Sequence, residues 1–78
     1  MARLPVVSGR ELIAALRRLG YQVTRTKGSH VRLVCEGSPS VTVPLHDELD
    51  RGTLSAILSE AGISADRLLE LLGRRPRG

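Results

Sequence analysis

The residues with the clearest chemical potential lie together in the stretch Gly28-Ser29-His30-Val31-Arg32. A histidine side chain gains or loses a proton near neutral pH, so it can act as a general base without a metal ion. Alternate residues of a strand share a face, so we expect His30 and Arg32 on the same side. An imidazole can take a proton from a hydroxyl group while a nearby cation stabilises charge on a phosphate. RNA supplies both groups, because it carries a 2′-hydroxyl beside each phosphodiester.

Five residues around this histidine are candidates for binding RNA. Gly28 permits a turn and a close approach of phosphate to the backbone, and Ser29 can donate a hydrogen bond. Arg25 and Lys27 lie just upstream, and we assign both, together with Arg32, to phosphate binding. The face on which Arg25 lies depends on the strand register, which the sequence leaves open.

Acid–base catalysis also needs a proton donor to the leaving oxygen, and the sequence does not single one out. His46 is the other histidine, but its position between a predicted strand and a predicted helix favours a structural role over proton donation. Lys27 is a further candidate donor. Without other information, a histidine that begins a strand is more often an ordinary exposed or hydrogen-bonded residue than a catalytic one.

Charge is distributed unevenly along the chain, which carries 12 Lys and Arg against 8 Asp and Glu for a formal net charge of +4. Up to Val34 there are seven basic residues and one acidic residue, so this part carries +6 and the remainder −2. Such asymmetry favours a polyanionic partner and salt-dependent binding. The alternative is a solvated basic face without a ligand.

The length of 78 residues suits one small domain without a large enclosed active site. The single cysteine, Cys35, allows neither an intrachain disulfide nor a cysteine metal cluster, and its strand position predicts a buried residue rather than a nucleophile. No apolar stretch is long enough to span a bilayer. We therefore expect a cytoplasmic protein with no membrane association, no metal and no small-molecule cofactor.

Hydrophobic periodicity predicts the elements that position these residues. Ser8 and Glu11 form a capping-box pattern that begins a helix, and Gly20 ends it. One face of this helix is apolar, and the other is basic, with Arg10, Arg17 and Arg18. Alternation then predicts three strands joined by turns at 28–29 and 36–39 and ending at Pro44. The pattern then predicts a second helix, with Asp50 as its N-cap and Gly62 at its end. A third helix follows, with Ser64 at its start.

This order predicts an α+β two-layer domain in which a helix, a three-stranded antiparallel sheet and a second helix follow one another, with a short extra C-terminal helix. Double-stranded-RNA-binding domains have the same order of elements. We expect one domain over residues 1–73 and a disordered basic tail over residues 74–78.

The motifs, in this order, resemble the HicA (YcfA-like) toxin family between about Ser8 and Ile63. The matching stretches are Ser8-Gly9-Arg10-Glu11-Leu12, Gly20-Tyr21, Gly28-Ser29-His30, Val43-Pro44-Leu45-His46, Gly52-Thr53-Leu54, Ile57-Leu58 and Ala61-Gly62-Ile63.

This resemblance implies the toxin of a bacterial type II toxin–antitoxin system, which cleaves mRNA without a metal and is inhibited by a HicB-type antitoxin. His30 matches the catalytic histidine of the family. The residues taken alone leave two alternatives. One is a noncatalytic RNA-binding module with the same fold, and the other is an interaction domain whose basic face meets an acidic protein.

Overall fold

The computed structural model describes residues 4–74 as one helix, three strands and two further helices. These are α1 (Gly9–Arg18), β1 (Gln22–Lys27), β2 (His30–Cys35), β3 (Ser38–Pro44), α2 (Arg51–Ala61) and α3 (Ala65–Leu71). The strands form one antiparallel sheet in the order β1-β2-β3. The predicted α+β class and its order of elements are therefore confirmed.

Residues 75–78 of the predicted tail lie outside the described residues. Within residues 4–74, no helix is both long enough and apolar enough to cross a membrane.

The three helices begin at the caps that the sequence predicts. The Ser8 hydroxyl accepts the Glu11 backbone N–H at 3.1 Å, and the Glu11 carboxylate accepts the Ser8 backbone N–H at 2.9 Å. Asp50 accepts the Thr53 backbone N–H at 2.7 Å at the start of α2, and Ser64 caps α3 in the same way. Each contact satisfies backbone N–H groups that have no partner within the helix.

The hydrophobic core lies between the helices and one face of the sheet. Alternate residues of β2 and β3 point into it, so Val31 pairs with Val43 and Leu33 pairs with Val41. The largest fully buried side chains are Leu12, Leu16, Leu33, Leu54, Leu68, Val7, Val41 and Val43. The other face of the sheet is left open to solvent, and His30 and Arg32 lie on it.

Helix α3 closes the core from the side of α1. It buries Leu68 and Leu71, and the Arg18 guanidinium donates to the Leu71 carbonyl at 2.7 Å. Arg74, just after α3, donates to the Glu11 carboxylate at 3.0 Å. Arg18 therefore connects α1 to the end of α3. The helical spacing instead predicts that Arg18 lies with Arg10 and Arg17 on one free basic face, and the structure differs from that prediction.

The N-terminus of α1 is pressed against the end of β3. A Cβ atom at Gly9 would lie 2.0 Å from the Pro44 carbonyl oxygen, which is far inside van der Waals contact. The Gly9 backbone N–H donates to the His46 carbonyl at 2.9 Å. Position 9 therefore accepts only glycine, because a side chain would push the helix off the sheet.

We predict that Gly9→Ala destabilises the domain by about 1–3 kcal/mol, as overpacking does when backbone must shift. Helix propensity alone predicts the opposite sign, because alanine is the better helix former. Gly52→Ala is the matched control, since its Cβ would meet only the Asp50 carboxylate at an ordinary 3.5 Å. Urea unfolding followed by circular dichroism compares the two variants, and equal midpoints would contradict the prediction.

Glu11 and Asp50, whose carboxylates accept backbone N–H groups at helix starts, predict that the domain loses stability in acid. The Ser8 backbone N–H holds the pKa of Glu11 below its ordinary 4.5, and the Thr53 backbone N–H holds that of Asp50 below 3.8. A carboxyl whose pKa is lower in the folded state stabilises the fold above its unfolded pKa, and this contribution is lost as the pH falls through the folded value. The urea midpoint should stay level down to about pH 5 and then fall.

The double variant Glu11→Gln, Asp50→Asn should show a shallower fall of the midpoint over the same acidic range. An unchanged slope in that variant would assign the acid sensitivity to other carboxyl groups.

Candidate nucleic-acid interface

His30 begins β2 immediately after a two-residue turn. Gly28 has φ +58°, whereas no non-glycine residue among those described has positive φ, so Ser29 does not. Glycine with positive φ at the first central position is the pattern of a type II′ turn, which suits the twist of a hairpin. A Cβ at Gly28 would meet no atom within 4 Å. The conformation therefore requires glycine here, and the space beside the turn is open to a ligand.

The strand register brings the predicted site residues onto one face of the sheet. Lys27 pairs with His30, and Arg25 pairs with Arg32. Directly opposite residues in an antiparallel pair project to the same side. All four residues are exposed, and we call this surface the open face.

A β-bulge decides that Arg25 lies on the open face. Val23 pairs with Leu33 on the core side, and the register then skips Thr24 before Arg25 pairs with Arg32. Strict alternation from Val23 would have turned Arg25 toward the helices. The bulge thus settles the orientation that the sequence left open.

Arg32 is held in place from β3. Its guanidinium donates to the Ser40 hydroxyl at 2.8 Å, and its backbone lies opposite Thr42. One guanidinium N–H is used in this bond, and the others remain available to a phosphate. The sequence does not point to Ser40, since no local pattern shows which β3 residue lies diagonal to Arg32.

The open face is positive and lacks local counter-charges. None of the three strands contains an Asp or Glu. The two ion pairs found within residues 4–74, Arg67–Glu70 and Arg74–Glu11, involve helical residues and Arg74, which lies three residues beyond the end of α3. Arg25 and Arg32 are like charges directly opposite each other, an arrangement that destabilises a sheet unless an anion lies between them. The face therefore favours binding of phosphates.

The imidazole of His30 is exposed and takes part in no hydrogen bond with other residues of the described part of the chain. Its cross-strand neighbours are Lys27 on one side and Pro44 on the other. Both ring nitrogens are consequently free to contact a substrate.

Backbone contacts fix the turn that carries His30. The Leu45 backbone N–H donates to the Ser29 carbonyl at 2.7 Å, which joins the turn to the end of β3. The carbonyl of the following residue, His46, accepts the Gly9 backbone N–H at the start of α1. Three segments distant in sequence thus meet beside the site.

His46 contributes to this junction through its backbone, while its side chain is exposed. The pKa of Asp50 is lowered chiefly by the Thr53 backbone N–H and to a smaller extent by the charge of His46. The hydrogen bond that His46 forms within the described residues is thus made by its backbone and does not depend on its side chain. No group of three or more His, Cys, Asp or Glu side chains able to hold a metal ion is found over residues 4–74.

The chain also matches a model of a known protein family. Residues 9–63 match the family model described as HicA toxin of bacterial toxin-antitoxin. No curated protein matches the chain significantly. The matched segment contains α1, the sheet and α2, and therefore the whole open face.

We predict that replacing Arg25, Lys27 or Arg32 singly with alanine weakens binding of a single-stranded RNA oligonucleotide. Each lost phosphate contact should reduce the slope of log affinity against log salt by about 0.7. Arg67→Ala on α3 removes the same charge away from the open face and should leave the slope unchanged. Fluorescence anisotropy at several salt concentrations measures the slopes, and equal effects of all four variants would reject a localised phosphate site.

Proposed function

The chain belongs to the HicA toxin family of bacterial toxin–antitoxin systems, and from this premise we propose that it is an endoribonuclease that cleaves mRNA. The observation that carries the proposal is the register of the hairpin. It sets His30 beside Lys27, with Arg25 and Arg32 next along the same exposed face. A proton acceptor and three cations are thus presented together on a surface wide enough for a polymer.

In the proposed reaction His30 takes the proton of a ribose 2′-hydroxyl. The 2′-oxygen then forms a bond to the adjacent phosphorus, and the bond from phosphorus to the 5′-oxygen breaks. The products are a 2′,3′-cyclic phosphate and a 5′-hydroxyl, whose proton comes from solvent water at the exposed face. General-base catalysis of this kind contributes about 10²- to 10⁴-fold to a rate.

The neighbouring residues stabilise the negative charge that develops on the phosphate. Lys27 and Arg32 flank His30 on its own face, and Arg25 extends the cationic surface along β1. Gly28 lets the backbone approach the phosphate, and the Ser29 hydroxyl can donate to it. Because RNA brings its own nucleophile and the protein brings the cations, the proposed mechanism needs no metal and no cofactor.

The family implies a partner antitoxin, which we propose to be of the HicB type. An acidic antitoxin that covers the open face would compete with RNA for the same cations. RNA and antitoxin should then bind in a mutually exclusive manner, and simultaneous binding without inhibition would reject simple masking. A substrate of mRNA places the toxin in the cytoplasm.

The second candidate function is noncatalytic RNA binding. It is favoured by one observation, namely that the His30 imidazole has no hydrogen-bond partner to orient it within the described residues. All the phosphate contacts proposed above would remain in such a module. Cleavage and binding must therefore be measured separately.

We predict that His30→Ala lowers the rate of RNA cleavage at least about a hundredfold. Binding should change little, because a neutral histidine contributes little to phosphate affinity. The measurement is cleavage of a defined RNA in the presence of a chelator, with analysis of the fragment ends for cyclic phosphate. Circular dichroism confirms that both proteins fold.

His46→Gln serves as the matched control, because it removes the other histidine side chain and leaves the backbone contact to α1 in place. It should cleave like the wild type. If the wild type binds diverse RNAs but cuts none of them, the noncatalytic module is the correct function. Equal cleavage by wild type and His30→Ala would assign the chemistry to another residue.

A further inference from the structure

A groove lies between α1 and the sheet, on the side opposite the open face. Its volume is about 350 Å³, and it is open to solvent along one side. Helix α1 lines it with Arg10, Ile13, Ala14 and Arg17, and the sheet side contributes Val23, Thr26, Val31 and Leu45. None of the residues assigned above to RNA cleavage lines this groove.

The floor of the groove is apolar and accessible. Val23 is 43% exposed although its β2 partner, Leu33, is fully buried, because α1 does not cover the outer part of β1. Ile13 is half-buried at the same place. No aromatic residue lines the groove, so it offers no stacking surface for bases. An apolar floor of this kind favours a protein ligand over RNA.

The charged residues of the groove indicate which sign of charge such a ligand should carry. Arg10 and Arg17 are both exposed and lie about two turns apart on α1. Neither forms an ion pair with another residue in the 4–74 range, and no acidic residue lines the groove. The two arginines favour carboxylates.

The outer edge of β1 adds a backbone recognition surface. β1 is one of the two edge strands of the sheet, and all six of its residues are exposed, whereas β3, the other edge strand, is partly buried. No other strand in the described part of the chain pairs with its outer side. An extended peptide can hydrogen-bond to such an edge and gain specificity from the pockets that its alternate side chains fill.

We propose that this groove and the edge of β1 together bind an acidic, extended segment of the antitoxin. The segment adds a fourth strand beside β1, places apolar side chains over Ile13 and Val23, and sets carboxylates against Arg10 and Arg17. This inference rests on the antitoxin partner proposed above and is independent of the cleavage chemistry.

An added strand also explains how one segment could affect the open face. Its alternate side chains would point to opposite sides of the sheet. One set would occupy the groove, and the other set would lie next to Arg25 and Lys27 on the open face. Acidic residues in that second set would compete with phosphate. The groove would then supply affinity, while the other side of the same strand blocks RNA.

The test uses an octapeptide whose odd-numbered residues are Glu, Leu, Leu and Glu and whose even-numbered residues are all Glu, titrated into isotope-labelled protein and followed by NMR. In an extended strand the odd-numbered set presents two Leu between two Glu to the groove, and the even-numbered set presents Glu to the open face. Amide shifts should change along β1 and at the groove residues of α1. Affinity should fall at least about tenfold in Arg17→Glu, which reverses a rim charge, and in Val23→Ser, which removes part of the apolar floor. Arg51→Glu is the matched control, because it makes the same charge change at the start of α2, outside the groove, and should bind normally.

Three outcomes would overturn the proposal. The first is equal affinity for the same peptide with Lys in place of every Glu. The second is equal weakening by Arg51→Glu and Arg17→Glu. The third is concentration-dependent self-association that shifts the same amides without peptide, which would assign the edge to a second copy of the chain.

RNA cleavage by Val23→Ser separates the two proposals. If Val23→Ser cleaves RNA at the wild-type rate but no longer binds the peptide, the groove is a site distinct from the nuclease face. If the wild type cuts no RNA but still binds the peptide through the groove, only the proposed nuclease function fails.

Discussion

The close approach of α1 to the end of β3 is the contact on which the rest of the structure depends. Gly9 lies against the Pro44 carbonyl with no space for a side chain, and its N–H is held by the carbonyl of His46. The Leu45 N–H, between these two residues, holds the Ser29 carbonyl of the hairpin turn. In addition to the side chains of the core, direct backbone contacts therefore join the helix, the third strand and the turn. A small domain with little core gains from such a junction a fixed position for His30.

Around this junction the sheet separates two surfaces with different chemistry. The open face carries opposed like charges at Arg25 and Arg32, a local cost that makes sense if phosphate binds there. The groove under β1 has an apolar floor with arginines at its rim, which suits a protein segment better than a nucleic acid. The proposed function requires both kinds of partner, and an edge strand only six residues long contributes to both surfaces.

Contact with the C-terminal helix places Arg18 differently from the sequence prediction. Helical spacing places Arg18 near Arg17, yet its guanidinium bonds to the Leu71 carbonyl at the end of α3. The family match ends at residue 63, so α3 lies beyond the matched segment and still supplies two buried leucines to the core. Part of the basic charge of α1 therefore stabilises the fold, and Arg10 and Arg17 remain at the surface.

The sequence by itself determined the types and the order of the elements and the residues at which the three helices begin, because helix periodicity, strand alternation and the caps at Ser8, Asp50 and Ser64 act within a few residues of one another. It also placed His30 and Arg32 on one face, since they are alternate residues of one strand. Only the tertiary structure decided that Arg25 joins them, through the bulge at Thr24, and that a groove opens between α1 and β1. Those features arise from pairing and packing between segments distant in the chain, which no local pattern of residues contains.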